Sequence, residues 1–301
     1  MYDLIIIGGG VAGYSAAMYS KRFEMNVVVV SEMDGGTLTQ THLVENYPGF
    51  PSITGYELAN NIMNHAKGIG VETKLNKATK AKKEKDVFTV TLDNGEEIQG
   101  HSLLLATGTK HRELGIESEK RFKNKGVSYC ATCDGAFFRD KVVGMVGGSD
   151  SAVKESLLLA KYASKVYIIY RKDKVRAEPI NIKRMENEPK IEVITNSNVI
   201  EVLGENKVSG VKLDTGKTLD LQGLFIEIGR IPESDIANQI GAEVTEKGEV
   251  VTNKYSETNV PGFFAAGDVT NTEWKQAIVS AAEGAHASER AFEYVSKLKT
   301  K

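Results

Sequence analysis

Residues 3–30 read DLIIIGGGVAGYSAAMYSKRFEMNVVVV, a short apolar run followed by a glycine-rich turn, a helical segment and a second apolar run. Continuous apolar strands that alternate with amphipathic helices are typical of a parallel sheet covered on both faces. The stretch therefore predicts an α/β fold that begins with a strand, a tight turn and a helix.

The same order of segments returns in the middle of the chain, as KVVGMV (141–146), GGSDSA (147–152) and, after a helical stretch, VYIIY (166–170). Gly13 and Ala152 are 139 residues apart, and so are Glu32 and Arg171. A repeat that aligns without a gap predicts two units of the same kind. We expect two Rossmann-like, three-layer ββα nucleotide-binding domains, the second inserted into the first.

The segments around these units place the domain boundaries. DVFTVTLDNGEEIQG (86–100) alternates apolar and polar residues around an Asn-Gly turn and predicts a hairpin, and a long helix is predicted from about 275 to 299. We expect the outer domain to comprise 1–113 and 231–301, and the inserted domain to comprise 114–230.

Composition excludes several classes of function. The chain has 301 residues with 38 basic and 40 acidic side chains, and this balance gives no broad attraction to nucleic acid. Its apolar runs are far shorter than the roughly 20 residues of a membrane-spanning helix, so no membrane partner is expected. The N-terminal run has no basic flank of the secretory kind, and a cytoplasmic location is expected.

The first glycine-rich turn carries the fingerprint Gly8-x-Gly10-x-x-Gly13, directly after a strand and before a helix. Its glycines allow backbone N–H groups and a helix N-terminus to approach a pyrophosphate. Glu32 follows Gly13 by 19 residues, where a carboxylate accepts hydrogen bonds from a ribose diol and repels a 2′-phosphate. The residues favour FAD or NAD over NADP, with an ordinary surface role as the alternative for Glu32.

The second unit has cations where the first has Glu32. Arg171, Lys172 and Arg176 suit a 2′-phosphate, since such groups make charge-assisted bonds to phosphate oxygens, and NADPH is favoured. The alternative is a solvated basic loop. Ser149 replaces the second fingerprint glycine and either crowds the pyrophosphate or hydrogen-bonds to it.

Cys130 and Cys133 are the only cysteines of the chain and form a CxxC pair followed by Asp134. A zinc site needs further cysteines or clustered histidines, and the sequence has neither, so no metal is expected. A redox dithiol is favoured because a closely spaced pair can exchange a disulfide. Asp134 is a candidate general acid or base, with a helix-cap or turn role as the alternative.

Taken together, these motifs resemble the low-molecular-weight thioredoxin reductase family of flavoproteins over essentially the whole chain. The most specific matching segment is CATCDG (130–135). The others, in chain order, are GGGVAG (8–13), VENYPGF (44–50), ATG (106–108), AAGDV (265–269) and KQAIVSAAEG (275–284).

The resemblance implies that NADPH passes electrons through FAD to a Cys130–Cys133 disulfide and then to a thioredoxin-like protein. It also implies a homodimer, with FAD in the outer domain and the nicotinamide nucleotide in the inserted domain. Lys172 stands where the family has a second arginine, so use of NADH as well is an expectation. Thr37 and Lys275 also depart from the family, which usually has glutamine and arginine at these positions.

The predicted catalytic residues are Cys130, Cys133 and Asp134. The predicted FAD-binding residues are Gly8, Gly10, Ala12, Gly13, Glu32, Gly35, Gly36, Thr37, Asn46, Thr107, Gly108, Gly267, Asp268, Lys275, Gln276 and Ala277. The predicted nicotinamide-nucleotide residues are Gly147, Gly148, Ser149, Asp150, Ser151, Arg171, Lys172 and Arg176.

Two other functions are compatible with the same motifs. One is a related flavin disulfide reductase that serves a glutaredoxin-like or peroxiredoxin-system partner or uses another electron donor. The other is a flavin-binding redox sensor without catalytic turnover.

Overall fold

The computed structural model describes residues 1–300 as two compact units. Of these residues, unit 1 comprises 1–110 and those from 231 onward, and unit 2 comprises 111–230. The predicted α/β class with two Rossmann-like units, one inserted into the other in sequence, is confirmed. No helix within residues 1–300 is long and apolar enough to cross a lipid bilayer.

The strands are, in chain order, β1 (Tyr2–Ile7), β2 (Val27–Val30), β3 (Glu72–Lys74), β4 (Ala78–Glu84), β5 (Val87–Leu92), β6 (Glu97–Leu105), β7 (Thr109–His111), β8 (Val127–Ser128), β9 (Val142–Val146), β10 (Lys165–Ile169), β11 (Ile191–Ile194), β12 (Val199–Gly204), β13 (Val208–Leu213), β14 (Thr218–Asp220), β15 (Gly223–Ile226), β16 (Arg230–Pro232) and β17 (Phe263–Ala265).

The α-helices are α1 (Val11–Arg22), α2 (Gly55–Gly68), α3 (Glu117–Phe122), α4 (Ala131–Asp134), α5 (Asp150–Ala160), α6 (Pro179–Glu186), α7 (Asp235–Ile240) and α8 (Ala277–Lys299). Two short 3₁₀ helices cover Gly36–Gln40 and Gly135–Phe138.

Unit 1 is built on a mixed sheet with the strand order β3-β2-β1-β6-β5-β4, and β17 pairs with β6. β1 runs parallel to β2 and β6, whereas β5 pairs antiparallel with both β4 and β6, as the predicted hairpin requires. The side chains of β1 alternate between two apolar clusters, because Leu4 and Ile6 face one side of the sheet while Ile5 and Ile7 face the other.

Helices α1 and α8 pack closely on one face of this sheet. A Cβ atom placed on Gly284 of α8 would lie 2.2 Å from the carbonyl oxygen of Ala12, so only glycine permits this approach. Ser15 and Ser20 of α1 bond across the contact, to the Ala281 carbonyl and the Ser288 hydroxyl. This packing brings the start of α8 close to the start of α1.

Unit 2 has a parallel sheet with the strand order β11-β10-β9-β15-β8 and a separate antiparallel sheet of β12, β13 and β14. Helix α5 follows β9 directly and packs on the parallel sheet. The carboxyl end of β9 and the amino end of α5 therefore meet at one turn, as in unit 1.

Candidate functional site

The first fingerprint turn connects β1 to α1. Gly8 has a φ of +115°, and a Cβ atom there would lie 2.2 Å from the carbonyl oxygen of Ala106. A Cβ atom on Gly13 would lie 1.9 Å from the carbonyl oxygen of Gly8. These glycines are thus required by the backbone itself, and the turn lies directly against Ala106 and the predicted residue Thr107.

Gly10 differs from these two glycines because its Cβ position is open. The closest neighbouring heavy atom would be the Cα of Gly36, 3.9 Å away. Gly10 caps α1 without any side-chain hydrogen bond to the first amides of the helix. Those amides and the positive end of the helix are available to an anion, so the residues fit a dinucleotide pyrophosphate.

The predicted Gly35-Gly36-Thr37 segment folds against this turn. Gly35 donates its N–H to the Gly9 carbonyl at 2.8 Å, and both glycines have positive φ values. A Cβ atom on Gly36 would lie 3.0 Å from the Cα of Gly10. The structure thus places this segment beside the fingerprint, with Thr37 in the 3₁₀ helix that follows.

Gly267 and Asp268, from the C-terminal part of the chain, also lie beside the first fingerprint turn. A Cβ atom on Gly267 would lie 3.2 Å from the Cβ of Ala12, so Asp268 lies near the start of α1. Gly267 donates its N–H to the Glu283 carboxylate at 2.6 Å, and burial raises the pKa of Glu283.

Asn46 and Gln276 are 230 residues apart and make direct contact. The Nδ2 atom of Asn46 donates to the Oε1 atom of Gln276 at 3.0 Å. Gln276 is the residue before α8, and Ala277 is the first residue of that helix. The structure therefore brings together two residues that only the family resemblance had associated.

Three other predicted residues of unit 1 have well-defined partners within the protein. The Lys275 ammonium donates to the carbonyls of Asp268 and Thr270 at 2.9 and 2.7 Å. These two bonds connect the ends of the segment 268–275. The Thr107 hydroxyl donates to the Glu233 carbonyl at 2.7 Å. Glu32 is exposed at the end of β2, and its carboxylate lies 3.0 Å from Lys77 Nζ.

Sequence reasoning missed a buried support beneath this site. Tyr14 of α1 is 1% exposed and donates its hydroxyl to Asp34, which also pairs with Lys67 at 2.7 Å. Burial and the Asp34 carboxylate raise the pKa of Tyr14. Asp34 immediately precedes the predicted residue Gly35. That position was the only feature of the sequence that could have indicated Asp34 as a supporting residue of the site.

In unit 2, the corresponding turn connects β9 to α5. Gly147 has a φ of +145°, and its Cβ would lie 2.1 Å from the Glu227 carbonyl oxygen, while a Cβ on Gly148 would overlap the Tyr170 ring. The Ser149 hydroxyl accepts a bond from the Ala152 N–H at 3.4 Å and caps α5. Its oxygen therefore faces the helix amides, beside the exposed Ser151.

Asp150 connects this turn to the segment after the basic loop, which we define as residues 171–176. One carboxylate oxygen of Asp150 accepts from the Glu178 N–H at 2.9 Å and from the buried Asn181 side chain at 2.8 Å. Arg176 donates its N–H to the Gly148 carbonyl at 2.6 Å. The structure thus brings Arg176 beside Ser149, and gives Asp150 a supporting contact that the sequence did not predict.

The cations of this loop are accessible. Arg171 and Arg176 are exposed, and within residues 1–300 neither guanidinium has an ion-pair partner. Their charge is therefore not neutralised within the protein, which is the condition for binding a phosphate group.

Cys130 and Cys133 form a disulfide with Cα atoms 5.3 Å apart. Cys130 caps the short helix α4, Cys133 and Asp134 lie at its end, and the Cys133 N–H bonds to Cys130 Sγ at 3.1 Å. Cys133 is exposed and Cys130 is half-buried. Phe137, which sequence reasoning did not single out, is 74% exposed four residues after Cys133.

Helix α5 also places a second carboxyl group beside the redox pair. Glu155 lies near Ala131, the residue after Cys130, whose backbone N–H favours the ionised carboxylate. Burial and the neighbouring Glu227 carboxylate raise the pKa of Glu155 to about 8, against a smaller opposing effect of Arg230. Glu227 itself is 3% exposed and lies 3.5 Å from His111 Nδ1 and 3.8 Å from Arg230 Nη2.

Glu155→Gln is expected to stabilise the protein in a pH-dependent way. An unfolded glutamate ionises near pH 4.5, whereas Glu155 holds its proton in the folded protein until about pH 8. The parent therefore loses stability relative to the variant as pH rises through this window, by at most about 1.4 kcal/mol per pH unit. Denaturant unfolding at a series of pH values measures the difference.

The exposed Glu201→Gln variant is the matched control and should follow the parent at every pH. If the difference in stability between Glu155→Gln and the parent did not change with pH, the raised pKa of Glu155 would be wrong.

Comparison with known proteins identifies the class. Residues 2–284 match the pyridine nucleotide-disulphide oxidoreductase family, and the chain belongs to that family.

Within this family, the chain is similar to proteins called thioredoxin reductase. That of Listeria monocytogenes is 38% identical, and the alignment covers 99% of this chain and 95% of the relative. That of Treponema pallidum is 39% identical, covering 99% and 98%. The crystal structure of Lactococcus lactis thioredoxin reductase superposes with a TM-score of 0.95 at 36% identity, covering 99% of this chain and all of that chain.

Proposed function

We propose that this protein is a thioredoxin-disulfide reductase that passes electrons from NADPH, through FAD, to the Cys130–Cys133 disulfide and then to a thioredoxin-like protein. The observation that carries the proposal is the partly exposed CxxC disulfide in a chain with two dinucleotide-binding turns. Full-length similarity to thioredoxin reductases supports it. NADPH-dependent reduction of thioredoxin by the purified, FAD-loaded protein tests it.

We assign FAD to unit 1. The Gly8–Gly13 turn and the amides of α1 would hold the pyrophosphate, Glu32 the ribose and Asp268 the ribityl chain. The Asn46–Gln276 pair, with Ala277, would face the flavin ring. When bound, FAD and NADPH supply the hydride chemistry, and the protein contributes binding and orientation.

We assign the thiol chemistry to three residues. Cys130 attacks the disulfide of the partner, and Cys133, the cysteine that would receive electrons from bound FAD, closes the disulfide again. Asp134 takes up and returns the proton of a thiol, because the thiolate and not the thiol is the reacting species. The exposed Phe137 offers an apolar contact for the partner beside this pair.

We expect the parent to favour NADPH over NADH by about tenfold or more in kcat/KM, since each charge-assisted bond to the 2′-phosphate contributes about 1.5–3 kcal/mol. Arg171→Ala/Arg176→Ala should lose this preference and keep activity with NADH. Steady-state kinetics with both nucleotides measure it.

Lys174→Ala removes an exposed cation from the same loop and is the matched control, expected to keep the preference. Equal or NADH-favouring values in the parent would show that the loop does not select the nucleotide.

Two alternatives make different predictions. A reductase for a glutaredoxin-like or peroxiredoxin-system partner would turn over faster with that partner than with thioredoxin. A redox sensor would be reduced once and would not turn over. A panel of partners and donors in the same assay therefore separates the three functions.

The oligomeric state and the location are also proposals. The family resemblance supports a homodimer, which sedimentation of the purified protein tests. Reduction of a protein disulfide at the expense of NADPH is chemistry of a reducing compartment, which supports the cytoplasm.

A further inference from the structure

Ser128 connects the redox disulfide to the predicted acid. It is the last residue of β8, is 6% exposed and precedes Cys130 by two residues. Its hydroxyl oxygen accepts the N–H of Cys130 at 3.1 Å and donates to Oδ2 of Asp134 at 2.6 Å. One buried hydroxyl thus joins the backbone of the attacking cysteine to the carboxylate of Asp134.

The hydroxyl proton of Ser128 has one good acceptor. The carbonyl oxygen of Cys130 is 3.4 Å from the hydroxyl oxygen, beyond the usual range for an O–H···O bond. The 2.6 Å distance to Asp134 lies in the short range of bonds from a hydroxyl to a carboxylate. The proton therefore belongs to the bond with Asp134.

The bond from Ser128 holds the side chain of Asp134, which the hydrogen bonds of the Asp134 backbone do not hold. The main chain of Asp134 is held by its N–H, which donates to the Cys130 carbonyl at 3.1 Å. The side chain is half-buried, and without this bond it would be free to adopt other rotamers. A general acid or base acts only within hydrogen-bond reach of the proton that it transfers.

We propose that Ser128 is a positioning residue that holds the Asp134 carboxylate for the second half of the disulfide exchange. This inference rests on the proposed role of Asp134 in thioredoxin reduction.

The exchange has two steps. In the first, the Cys130 thiol loses its proton to solvent and its sulfur attacks the partner disulfide. The partner S–S bond breaks, a mixed disulfide forms, and the released partner sulfur takes up a proton from solvent.

In the second step, the Cys133 thiol gives its proton to Asp134 and attacks Cys130 Sγ. The Cys130–Cys133 bond forms, the bond to the partner breaks, and the departing partner sulfur receives the proton from Asp134. Two electrons and two protons have then passed from the dithiol to the partner.

The test is a single turnover without nucleotide. The protein is reduced with dithiothreitol, desalted, mixed with oxidised thioredoxin, quenched with acid, and assayed for the mixed disulfide by mass spectrometry. Ser128→Ala should form the mixed disulfide at the parental rate but resolve it about tenfold more slowly, and Asp134→Asn about a hundredfold more slowly.

Coupling between the two residues is the decisive comparison. Ser128→Ala/Asp134→Asn should resolve the mixed disulfide no more slowly than Asp134→Asn alone, because Ser128 acts through Asp134. Ser128→Thr keeps a hydroxyl and should resolve the mixed disulfide near the parental rate. Valine has the shape of threonine without the hydroxyl, so Ser128→Val should resolve the mixed disulfide slowly. Comparison of Ser128→Thr with Ser128→Val tests the role of the hydroxyl even if Ser128→Ala does not fold.

Three results would overturn the inference, and they are distinguishable. If Asp134→Asn resolved the mixed disulfide at the parental rate, the proposed role of Asp134 would fail, and with it the inference. If Asp134→Asn were slow but Ser128→Ala and Ser128→Val were not, only the inference would fail. A further loss in the double variant would show that Ser128 acts independently of Asp134.

Discussion

Replacing Cys130 or Cys133 by serine is expected to lower thioredoxin reduction by about a thousandfold or more while leaving nucleotide oxidation intact. The two sulfur atoms are already bonded to one another, and residues 1–300 contain no other cysteine. A serine hydroxyl neither forms a disulfide nor ionises near neutral pH, so no route to the partner remains. NADPH oxidation with ferricyanide as acceptor measures the part of the reaction that does not need the pair.

The matched control is Thr132→Ser, an exposed change between the two cysteines that should alter neither activity. Thioredoxin reduction at the parental rate by either cysteine variant would exclude the pair from the reaction.

Gly10→Val is expected to weaken FAD binding by roughly a hundredfold or more, about 3 kcal/mol, without unfolding the protein. Gly10 has an ordinary φ of −89°, and its Cβ position is open in the protein itself. The branched side chain would therefore occupy space that only the pyrophosphate needs. Flavin content after purification and titration of the apoprotein with FAD measure the effect.

Gly13→Ala gives the contrasting result. Its Cβ would lie 1.9 Å from the Gly8 carbonyl oxygen, so this smaller change should reduce the yield of folded protein. If Gly10→Val retained flavin like the parent, the assignment of this turn to the pyrophosphate would be wrong.

Short-range pattern was enough to predict the two strand–turn–helix units and the hairpin. Gly8 and Gly147 have positive φ values, which glycine adopts readily, and the apolar runs before them form buried strands. These features depend on neighbours within a few residues, and they can therefore be predicted from one sequence. The predicted helix at 275–299 likewise corresponds to α8, Ala277–Lys299.

Contacts between distant segments could not be predicted in this way. Asn46 and Gln276 meet because α8 packs on α1, and no local pattern encodes that packing. The pKa of Glu155 depends on Glu227, which is 72 residues later in the chain, and on burial that only the folded unit provides. The Ser149 hydroxyl accepts a bond from the Ala152 N–H and caps α5, a contact that the sequence did not predict.

The central claim is that electrons pass from the nucleotide to the Cys130–Cys133 disulfide. An anaerobic titration with NADPH, followed by alkylation and mass spectrometry of the cysteines, tests it directly. The parent should take up one two-electron equivalent per chain more than Cys130→Ser/Cys133→Ser, and both cysteines should become alkylated. Equal uptake by the two proteins, with the disulfide still intact in the parent, would contradict the claim.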